Sequence, residues 1–429
     1  MTLPLRYLHR AALALSIMAS SSAFAAETGP IRIGFVSPLT GALAPGGKDA
    51  LDAINLYLAS VNQTVAGRKI EIIPADDAGN AEIAVTKSRQ LVERDHVNLL
   101  MGFLSTAVCN PVAIYAKEAS FPMMATIQCG GEGTTIDPKI ASPYFTRWGN
   151  PIGAQADSSA YWLYKRGFRK VSIMTADYVG GAEFADLFSS AFVGLGGTVV
   201  QEQHPPLGTA DFGPYLAQLD PNADVLVLFE PGADGLRFGQ QYKNYLSLDK
   251  LKVFDMGGQI TAGSFRAQLG DRIYNILAMS SYSLNYATPA NQQFQKAWEA
   301  KYPKRGISQE AANSYAGGQI LDAALKKIDG QIENKDAFIK ALRETQIDTV
   351  HGPTKLDETG SAYISNYFME MVPGPDGPAE KPLDTYHNLS LFWMRTPEQL
   401  NKFPFATLKG KWVGMTKEKL GDVITQPKM

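Results

Sequence analysis

The chain contains little cysteine and little histidine. Its only cysteines are Cys109 and Cys129, and five histidines are spread over 429 residues. Two cysteines without a neighbouring histidine do not make a zinc site. The H-E-x-x-H spacing of metalloproteases, the G-x-S-x-G turn of serine hydrolases and the phosphate-binding P-loop are also missing. The sequence therefore predicts no metal, no cofactor and no enzyme, and an exported hydrolase is the minor alternative.

The chain also lacks an excess of charge of either sign and lacks long apolar runs. Its 40 basic and 42 acidic residues give a formal net charge of −2, so nucleic acid is not an expected partner. No segment approaches the roughly 20 consecutive apolar residues that span a bilayer. We therefore expect no direct insertion into a membrane.

The first 26 residues have the pattern of an export signal. Arg6 and Arg10 precede a short apolar stretch, and Ala23-Phe24-Ala25 fits the rule for signal cleavage between small residues. The mature chain is predicted to begin at Ala26 or Glu27, and a bacterial periplasm is the simplest location. That oxidising compartment permits a disulfide between the two cysteines, although the geometry that decides it is not contained in the sequence.

Short apolar runs alternate with amphipathic segments along most of the chain. The runs are typical of buried parallel strands and the amphipathic segments of helices. Strands are predicted at 31–36, 69–74, 97–103, 123–126, 144–147, 170–175, 198–203, 224–229, 251–256 and 276–282. The pattern starts afresh after residue 147, so the sequence predicts an α/β fold with two parallel sheets, the second of about five strands.

Two hydroxyl side chains follow the third of these strands. Ser105 and Thr106 lie where the next helix begins, at the edge where open α/β sheets bind ligands and where a helix N-terminus favours anions. The simpler interpretation is that they cap the helix, which such residues do routinely. Taken alone, the stretch favours capping.

With these segments laid out, the chain resembles the periplasmic solute-binding proteins that serve ABC importers of branched-chain amino acids and their relatives. The resemblance covers residues 31–372 and is carried by the order of five segments, IRIGFVSPLTGALAPGG, PADDAGN, GFLSTAVCNPVA, ADYVGGAEF and SYAGGQIL. It implies a type I binding-protein fold, in which two Rossmann-like lobes joined by a three-segment hinge close on a small solute. The partners implied are that solute and the membrane permease, and a monomer is expected. A ligand-sensing module of a regulator with the same fold is the other alternative.

The resemblance also implies a division of the chain. The chain is expected to cross between lobes near Trp148, Ile276 and Gly352. The first lobe then comprises residues 27–147 and 276–352, and the second comprises 148–275 and 353–429. Residues 381–429 have no clear place in this scheme, but their aromatic side chains indicate that they pack.

In the first lobe, the family's pattern assigns solute contacts to the ends of two strands. Relatives use a serine after the third strand to bind the ligand carboxylate, and Ser105 and Thr106 occupy that turn. Ile127, Gln128 and Cys129 end the next strand, where Cys129 replaces the usual hydroxyl. The resemblance therefore favours a binding role for Ser105 and Thr106 over capping.

In the second lobe and at the hinge, the pattern assigns a further set of residues. Gly180 stands where relatives often carry an aromatic residue, with Tyr178 two positions earlier. The remaining candidates on the cleft are Glu230, Pro231 and Tyr315. Trp148 is placed either to stack on an aromatic ligand or to pack in the hinge.

One departure from the pattern leaves the solute open. Amino-acid-binding relatives place an acidic residue after the strand at 251–256 to pair with the ligand ammonium, and here Gly258 or Gln259 stands at that position. Because an unpaired buried ammonium is costly, either Asp255 or Glu230 supplies the charge or the solute is not an α-amino acid. An amino acid, a small aliphatic or aromatic acid and an amide all remain candidates.

Overall fold

A computed structural model describes residues 29–131, 133–403, 408–425 and 427. The predicted export signal lies outside the described residues. Two β-sheets form the centres of two lobes, and helices cover both faces of the parallel part of each sheet. This confirms the predicted α/β class with two parallel-sheet lobes. Within the described ranges, none of the helices combines the length and apolarity needed to cross a membrane.

The first sheet has six strands in the order β2-β3-β1-β4-β5-β6. Its strands are β1 (Ile31–Ser37), β2 (Thr64–Val65), β3 (Arg68–Asp76), β4 (Leu99–Gly102), β5 (Met123–Ala125) and β6 (Phe145–Arg147). The helices that connect them are α1 (Ala44–Ser60), α2 (Ala81–Glu93), α3 (Thr106–Glu118) and α4 (Gly133–Ile136). Apart from the short β2–β3 hairpin, all pairings are parallel, which explains why these strands read as unbroken apolar runs.

The second sheet has seven strands in the order β15-β14-β11-β10-β9-β7-β8. Its strands are β7 (Lys170–Thr175), β8 (Thr198–Gln203), β9 (Val225–Phe229), β10 (Lys252–Met256), β11 (Leu277–Ser280), β14 (Ile364–Gly374) and β15 (Gly377–Leu389). Its helices are α5 (Ile152–Lys165), α6 (Val179–Leu195), α7 (Gly213–Leu216), α8 (Ala233–Gln241) and α9 (Gly263–Leu269), with 3₁₀ turns at Tyr242–Asn244 and Gly270–Ile273.

The second sheet is larger than the sequence predicts. The expected five parallel strands are present, and the long antiparallel hairpin β14–β15 extends the sheet beyond β11. The turn of that hairpin follows Gly374, and most of the returning strand lies in the segment 381–429, which had no predicted place. β15 is largely exposed and carries few apolar residues, so periodicity gave no signal for it.

The chain returns to the first lobe after β11. Three helices, α10 (Pro289–Lys301), α11 (Gln309–Lys327) and α12 (Lys335–Arg343), pack on the apolar face of the first sheet. A small hairpin of β12 (Ile347–Thr349) and β13 (Gly352–Thr354) follows. Because β11 pairs within the second sheet, the predicted first-lobe segment 276–352 begins with a strand of the other lobe.

The crossing segments lie side by side. Arg147, at the end of β6, forms a parallel bridge with Ser361, and its guanidinium donates to the Ser361 Oγ and to the carbonyls of three residues after β5. His351 Nδ1 lies 3.2 Å from the carbonyl oxygen of Ser281. Each crossing is therefore held by another, as a hinge made of three adjacent segments requires.

The segment after β15 packs on the second lobe. It contains α13 (Pro397–Lys402) and α14 (Lys417–Leu420), and Trp412 is fully buried with its Nε1 donating to Asp186 at 2.7 Å. Arg395 is also buried and binds the Asp157 carboxylate through Nε and Nη2. The aromatic residues of this segment thus pack, as the sequence indicates, although Phe405 lies outside the described residues.

Substituting Arg395 tests how strongly this segment is fixed. Removing one partner of a buried ion pair leaves an uncompensated charge, so we expect Arg395→Ala to lower the free energy of unfolding by about 3–5 kcal/mol. Arg166 also joins α5's end to this region through Asp384, but that pair is exposed, so Arg166→Ala should cost about 1 kcal/mol or less. Denaturant unfolding of both variants measures the difference, and equal losses would contradict the buried pair's importance.

Candidate functional site

A small cavity lies between the two lobes. It is bounded by the loops after β1, β4 and β5 and the start of α11 on one side, and by the loops after β7, β9 and β10 on the other. Its lining residues are Leu43, Gly46, Leu104, Ser105, Gln128, Tyr178, Pro231, Gly232, Gln259 and Glu310. The carboxyl ends of strands from both sheets therefore meet at one small space, which is where open α/β sheets bind ligands.

Ser105 lies at the N-cap position of α3, but its side chain does not cap the helix. The residue is 3% exposed, and its Oγ has no hydrogen-bond partner among the described residues. A buried hydroxyl without a partner costs free energy unless a ligand or water supplies one. Ser105 therefore lines the cavity and its hydroxyl does not cap the helix, and its role in binding stays a prediction.

The predicted site residues near Ser105 are all buried, and one of them lines the cavity. Thr106 begins α3 and is buried. Ile127 is buried in the core of the first lobe, and its carbonyl accepts from Asn313 Nδ2 at 2.8 Å. Of the predicted strand-end trio, only Gln128 lines the cavity, with its Nε2 donating to Gln155 Oε1 at 3.2 Å.

Cys129 is joined to Cys109 by a disulfide, with Cα atoms 5.6 Å apart. The bond ties the first turn of α3 to the segment after β5, and both cysteines are fully buried. The placement of Cys129 as a replacement for a ligand-binding hydroxyl is wrong, because its sulfur is committed to the disulfide and lies in the core.

Tyr178 and Gly180 act as a pair at the start of α6. An ideal Cβ on Gly180 would lie 2.8 Å from Cε2 of Tyr178, so the tyrosine ring covers the place that a side chain at 180 would fill. Tyr178 lines the cavity. The aromatic surface that relatives are expected to present from position 180 is thus supplied here from position 178, two residues earlier.

The two lobes touch through their backbones beside the cavity. Ala233 N–H donates to the carbonyl oxygen of Ala42 at 2.9 Å, and an ideal Cβ on Gly232 would lie 2.3 Å from the same oxygen. Gln309, at the start of α11, donates through Nε2 to the Gly257 carbonyl of the other lobe at 2.7 Å. These contacts describe a closed arrangement of the lobes.

Glu230 lies at the end of β9, immediately before Pro231 on the cavity wall. It is fully buried, and neither carboxyl oxygen has a hydrogen-bond partner in the described part of the chain. Burial raises the pKa of Glu230 well above its usual range, and the nearby Asp234 raises it further. The carboxyl is close to Tyr178, whose pKa is raised by burial and by the surrounding carboxyls.

Asp255, the other acid considered for pairing with an ammonium, is committed to its own loop. Its carboxylate accepts from the backbone N–H groups of Gln259 and Thr261 and from the Thr261 hydroxyl, all within 2.8 Å. Burial nevertheless raises the pKa of Asp255 to about 6. Asp255 therefore shapes the loop that brings Gln259 to the cavity, and it does not face a solute.

Glu310 is the acidic side chain on the cavity wall, and the sequence analysis missed it. It lies in the first turn of α11 and is 8% exposed. Burial raises the pKa of Glu310 to about 7, with Asp49 contributing to the rise. The signal that could have found it is the run Ser308-Gln309-Glu310, in which a serine suited to cap a helix is followed by two polar residues of the first helical turn.

Two predicted site residues lie elsewhere. Tyr315 is wrong as a cleft residue, since it packs in the first lobe's core against Tyr57 and Phe294, with ring centroids 5.3 and 4.4 Å away. Trp148 lines a second small cavity among the crossing segments, next to His351. Five of the twelve predicted residues therefore line the interlobe cavity, namely Ser105, Gln128, Tyr178, Pro231 and Gln259.

Two parallel-sheet lobes, joined by three adjacent segments and closed on a small polar cavity, define the type I periplasmic binding-protein class. A family model described as "Periplasmic binding protein" matches residues 30–377. The chain therefore belongs to the periplasmic binding protein family, and it is a substrate-binding protein of the kind that works with ABC transporters.

Individual relatives agree with this assignment. The chain is 26% identical to the Leu/Ile/Val-binding protein homolog 6 of Brucella melitensis over 386 residues, which is 88% of this chain and 94% of the relative. An ABC transporter substrate-binding protein from Sphaerobacter thermophilus is 30% identical with a TM-score of 0.77, covering 84% of this chain and 99% of its own. A solute-binding protein from Rhodopseudomonas palustris in complex with 3,4-dihydroxybenzoic acid is 26% identical with a TM-score of 0.77, covering 84% and 98%.

The disulfide between Cys109 and Cys129 can be tested directly, and it reports whether α3 and the segment after β5 are joined as described. Protein purified from an oxidising compartment and kept without reductant should be lighter by two hydrogen atoms than the same protein after reduction, because Cys109 and Cys129 are bonded. Intact-mass spectrometry measures this difference. Alkylation of both cysteines without prior reduction would contradict the bond.

The hydroxyl of Ser105 gives a test of the cavity itself. We expect Ser105→Ala to weaken solute binding about tenfold, because a hydrogen bond to a charged group contributes roughly 1.5–3 kcal/mol, and to leave the free energy of unfolding nearly unchanged because the hydroxyl caps nothing. Titration calorimetry and thermal unfolding measure the two effects.

Thr288→Ala is the matched control for this test. The Thr288 side chain does cap α10, accepting from the Asn291 N–H, and it is absent from the lining of the interlobe cavity. This variant should lose about 1 kcal/mol of stability and keep its affinity. A stability loss in Ser105→Ala with unchanged affinity would reduce Ser105 to a structural residue.

Proposed function

We propose that this chain captures one small solute in the interlobe cavity and, with its lobes closed, presents it to the membrane permease of an ABC importer. The observation that carries the proposal is the Ser105 hydroxyl, which is buried, without a partner in the described structure, and placed on a cavity that both lobes line. Contacts from both lobes stabilise the closed state over the open one, which is how a solute shifts a hinge equilibrium.

The remaining parts of the proposal rest on the sequence. The pattern of residues 1–26 supports export to the periplasm, and the absence of catalytic motifs supports binding without turnover. The ten described residues that line the cavity include no histidine and no cysteine. An exported hydrolase acting there through Ser105 would therefore lack the adjacent histidine base that usually activates a serine.

The contact between Gly232 and Ala42 offers a test of closure. A methyl group at 232 would overlap the Ala42 carbonyl oxygen, so we expect Gly232→Ala to hold the lobes apart, to weaken solute binding at least tenfold, and to abolish the contraction on binding. Calorimetry gives the affinity, and small-angle X-ray scattering gives the change in radius of gyration. Amino acids, aromatic and aliphatic acids and amides form the solute panel.

Gly270→Ala controls for backbone strain. Gly270 has nearly the same backbone angles as Gly232, φ +53° and ψ −130° against φ +60° and ψ −130°, but no atom lies within 4 Å of its ideal Cβ. The strain of a left-handed alanine is thus common to both variants, and only the first blocks closure. Equal affinity and equal contraction in the two variants would contradict the proposal.

A further inference from the structure

The charge on the cavity wall comes from Glu310. Among the ten described lining residues, lysine and arginine are absent and Glu310 is the one ionisable carboxyl. The nearby Arg305 forms ion pairs with Asp49 and Asp52, so its charge is balanced by those two carboxylates. Because Glu310 lies in the first turn of α11, the helix N-terminus favours its charged form.

Acidic side chains also lie near the second lobe's wall of the cavity, where Tyr178 is located. The phenol of Tyr178 is close enough to Glu183, Glu230 and Asp234 for each to raise its pKa. Asp234 is paired with Arg237 at 3.1 Å, whereas the buried Glu230 has no hydrogen-bond partner in the described structure. A solute between Glu310 and Tyr178 therefore has carboxyl groups near it in both lobes, and Glu310 is the one among them that lines the cavity.

The neutral polar groups on the wall can accept hydrogen bonds. The Nε2 of Gln128 donates to Gln155, and the Nε2 of Gln259 donates to the Gly257 carbonyl. Each of these amides keeps its side-chain oxygen and its second N–H for a ligand, and the Ser105 hydroxyl can accept or donate. Leu43, Leu104 and Pro231 form an apolar surface beside them.

One feature of the cavity favours an anion. Ser105 stands at the start of α3, and a helix N-terminus carries the equivalent of about half a positive elementary charge. When Glu310 is ionised, its full negative charge outweighs that partial charge in a buried space. The balance of charge is therefore negative.

We propose that Glu310 determines the specificity of this cavity, and that the solute has an apolar body and a head group with N–H donors and no negative charge, such as an amine, an amidine or a primary amide. The inference rests on the proposed function of solute capture. It sets this chain apart from the Rhodopseudomonas palustris protein crystallised with 3,4-dihydroxybenzoic acid, since a carboxylate facing Glu310 would place two like charges together without water between them.

Solutes of equal shape and different head group test the inference on the purified mature protein. Benzylamine, benzamide and benzoate form one set, and isobutylamine, isobutyramide and isobutyrate form another. Titrations at about pH 8 keep Glu310 ionised, since its pKa is about 7. We expect the amine or amide of at least one set to bind at least tenfold more tightly than its carboxylate.

Two variants assign the preference to Glu310. Glu310→Gln keeps the shape of the side chain and removes its charge, so it should weaken amine binding at least tenfold and reduce the ratio of amine to carboxylate affinity by at least as much. Glu118→Gln makes the same change in net charge at an exposed position of the same lobe and should leave that ratio unchanged.

The outcomes separate this inference from the proposed function. A carboxylate that binds wild-type protein as tightly as its amine and amide, no binding by any member of either set, or a ratio that Glu310→Gln leaves unchanged would each overturn the role of Glu310. Solute capture itself is judged by the Gly232 and Gly270 variants, with the wider panel. Carboxylate preference combined with normal closure would therefore reject only the assigned specificity.

Discussion

The close approach of two backbones, at Ala42 in one lobe and Gly232 in the other, is the constraint on which the closed structure depends. A hydrogen bond of 2.9 Å from Ala233 to Ala42 fixes the separation, and only a residue without a Cβ fits between them. Because Gly232 lines the cavity, this contact limits how closely the two lobes approach each other there. The lobes on either side of it have their own apolar cores.

Polar groups on the cavity wall are buried without all the hydrogen bonds that they can make, and this costs free energy. The Ser105 hydroxyl is buried without a hydrogen-bond partner in the described ranges, and Glu310 is buried at the wall with a raised pKa. In a well-packed core such groups would be costly. At a ligand site, the same groups give a solute with complementary atoms a large advantage over water, because only that solute relieves the cost in the closed form.

The second lobe is reinforced by a segment beyond the region that the family model matches, which ends at residue 377. Strand β15 completes the sheet, Trp412 fills the core beside α6, and Arg395 neutralises the buried Asp157 of α5. Leu391, Phe392 and Leu400 also pack around Ile136 of the first lobe. The apolar and charged anchors of this segment are spaced irregularly, so their partners are evident only once the lobe is folded.

Sequence periodicity was sufficient for the elements that are buried on both faces. The bounds of β7 agree with the predicted ones, because a continuous apolar run reports burial directly. Among the residues that the sequence or the family resemblance named, Ser105, Gln128 and Pro231 lie shortly after a strand and line the cavity, at the edge where the ends of parallel strands converge. Tyr315 and Glu310 show the limit of this reasoning. Both lie on α11, and which of them faces the cavity depends on how the helix is rotated against α1 and the second lobe, a choice made by packing between residues far apart in the chain. The sequence by itself thus determined the two sheets, the edge at which the cavity lies and the family. Only the tertiary structure decided which side chains meet there and what charge they present, because rotation, closure and burial are set by contacts between segments that the linear pattern does not relate.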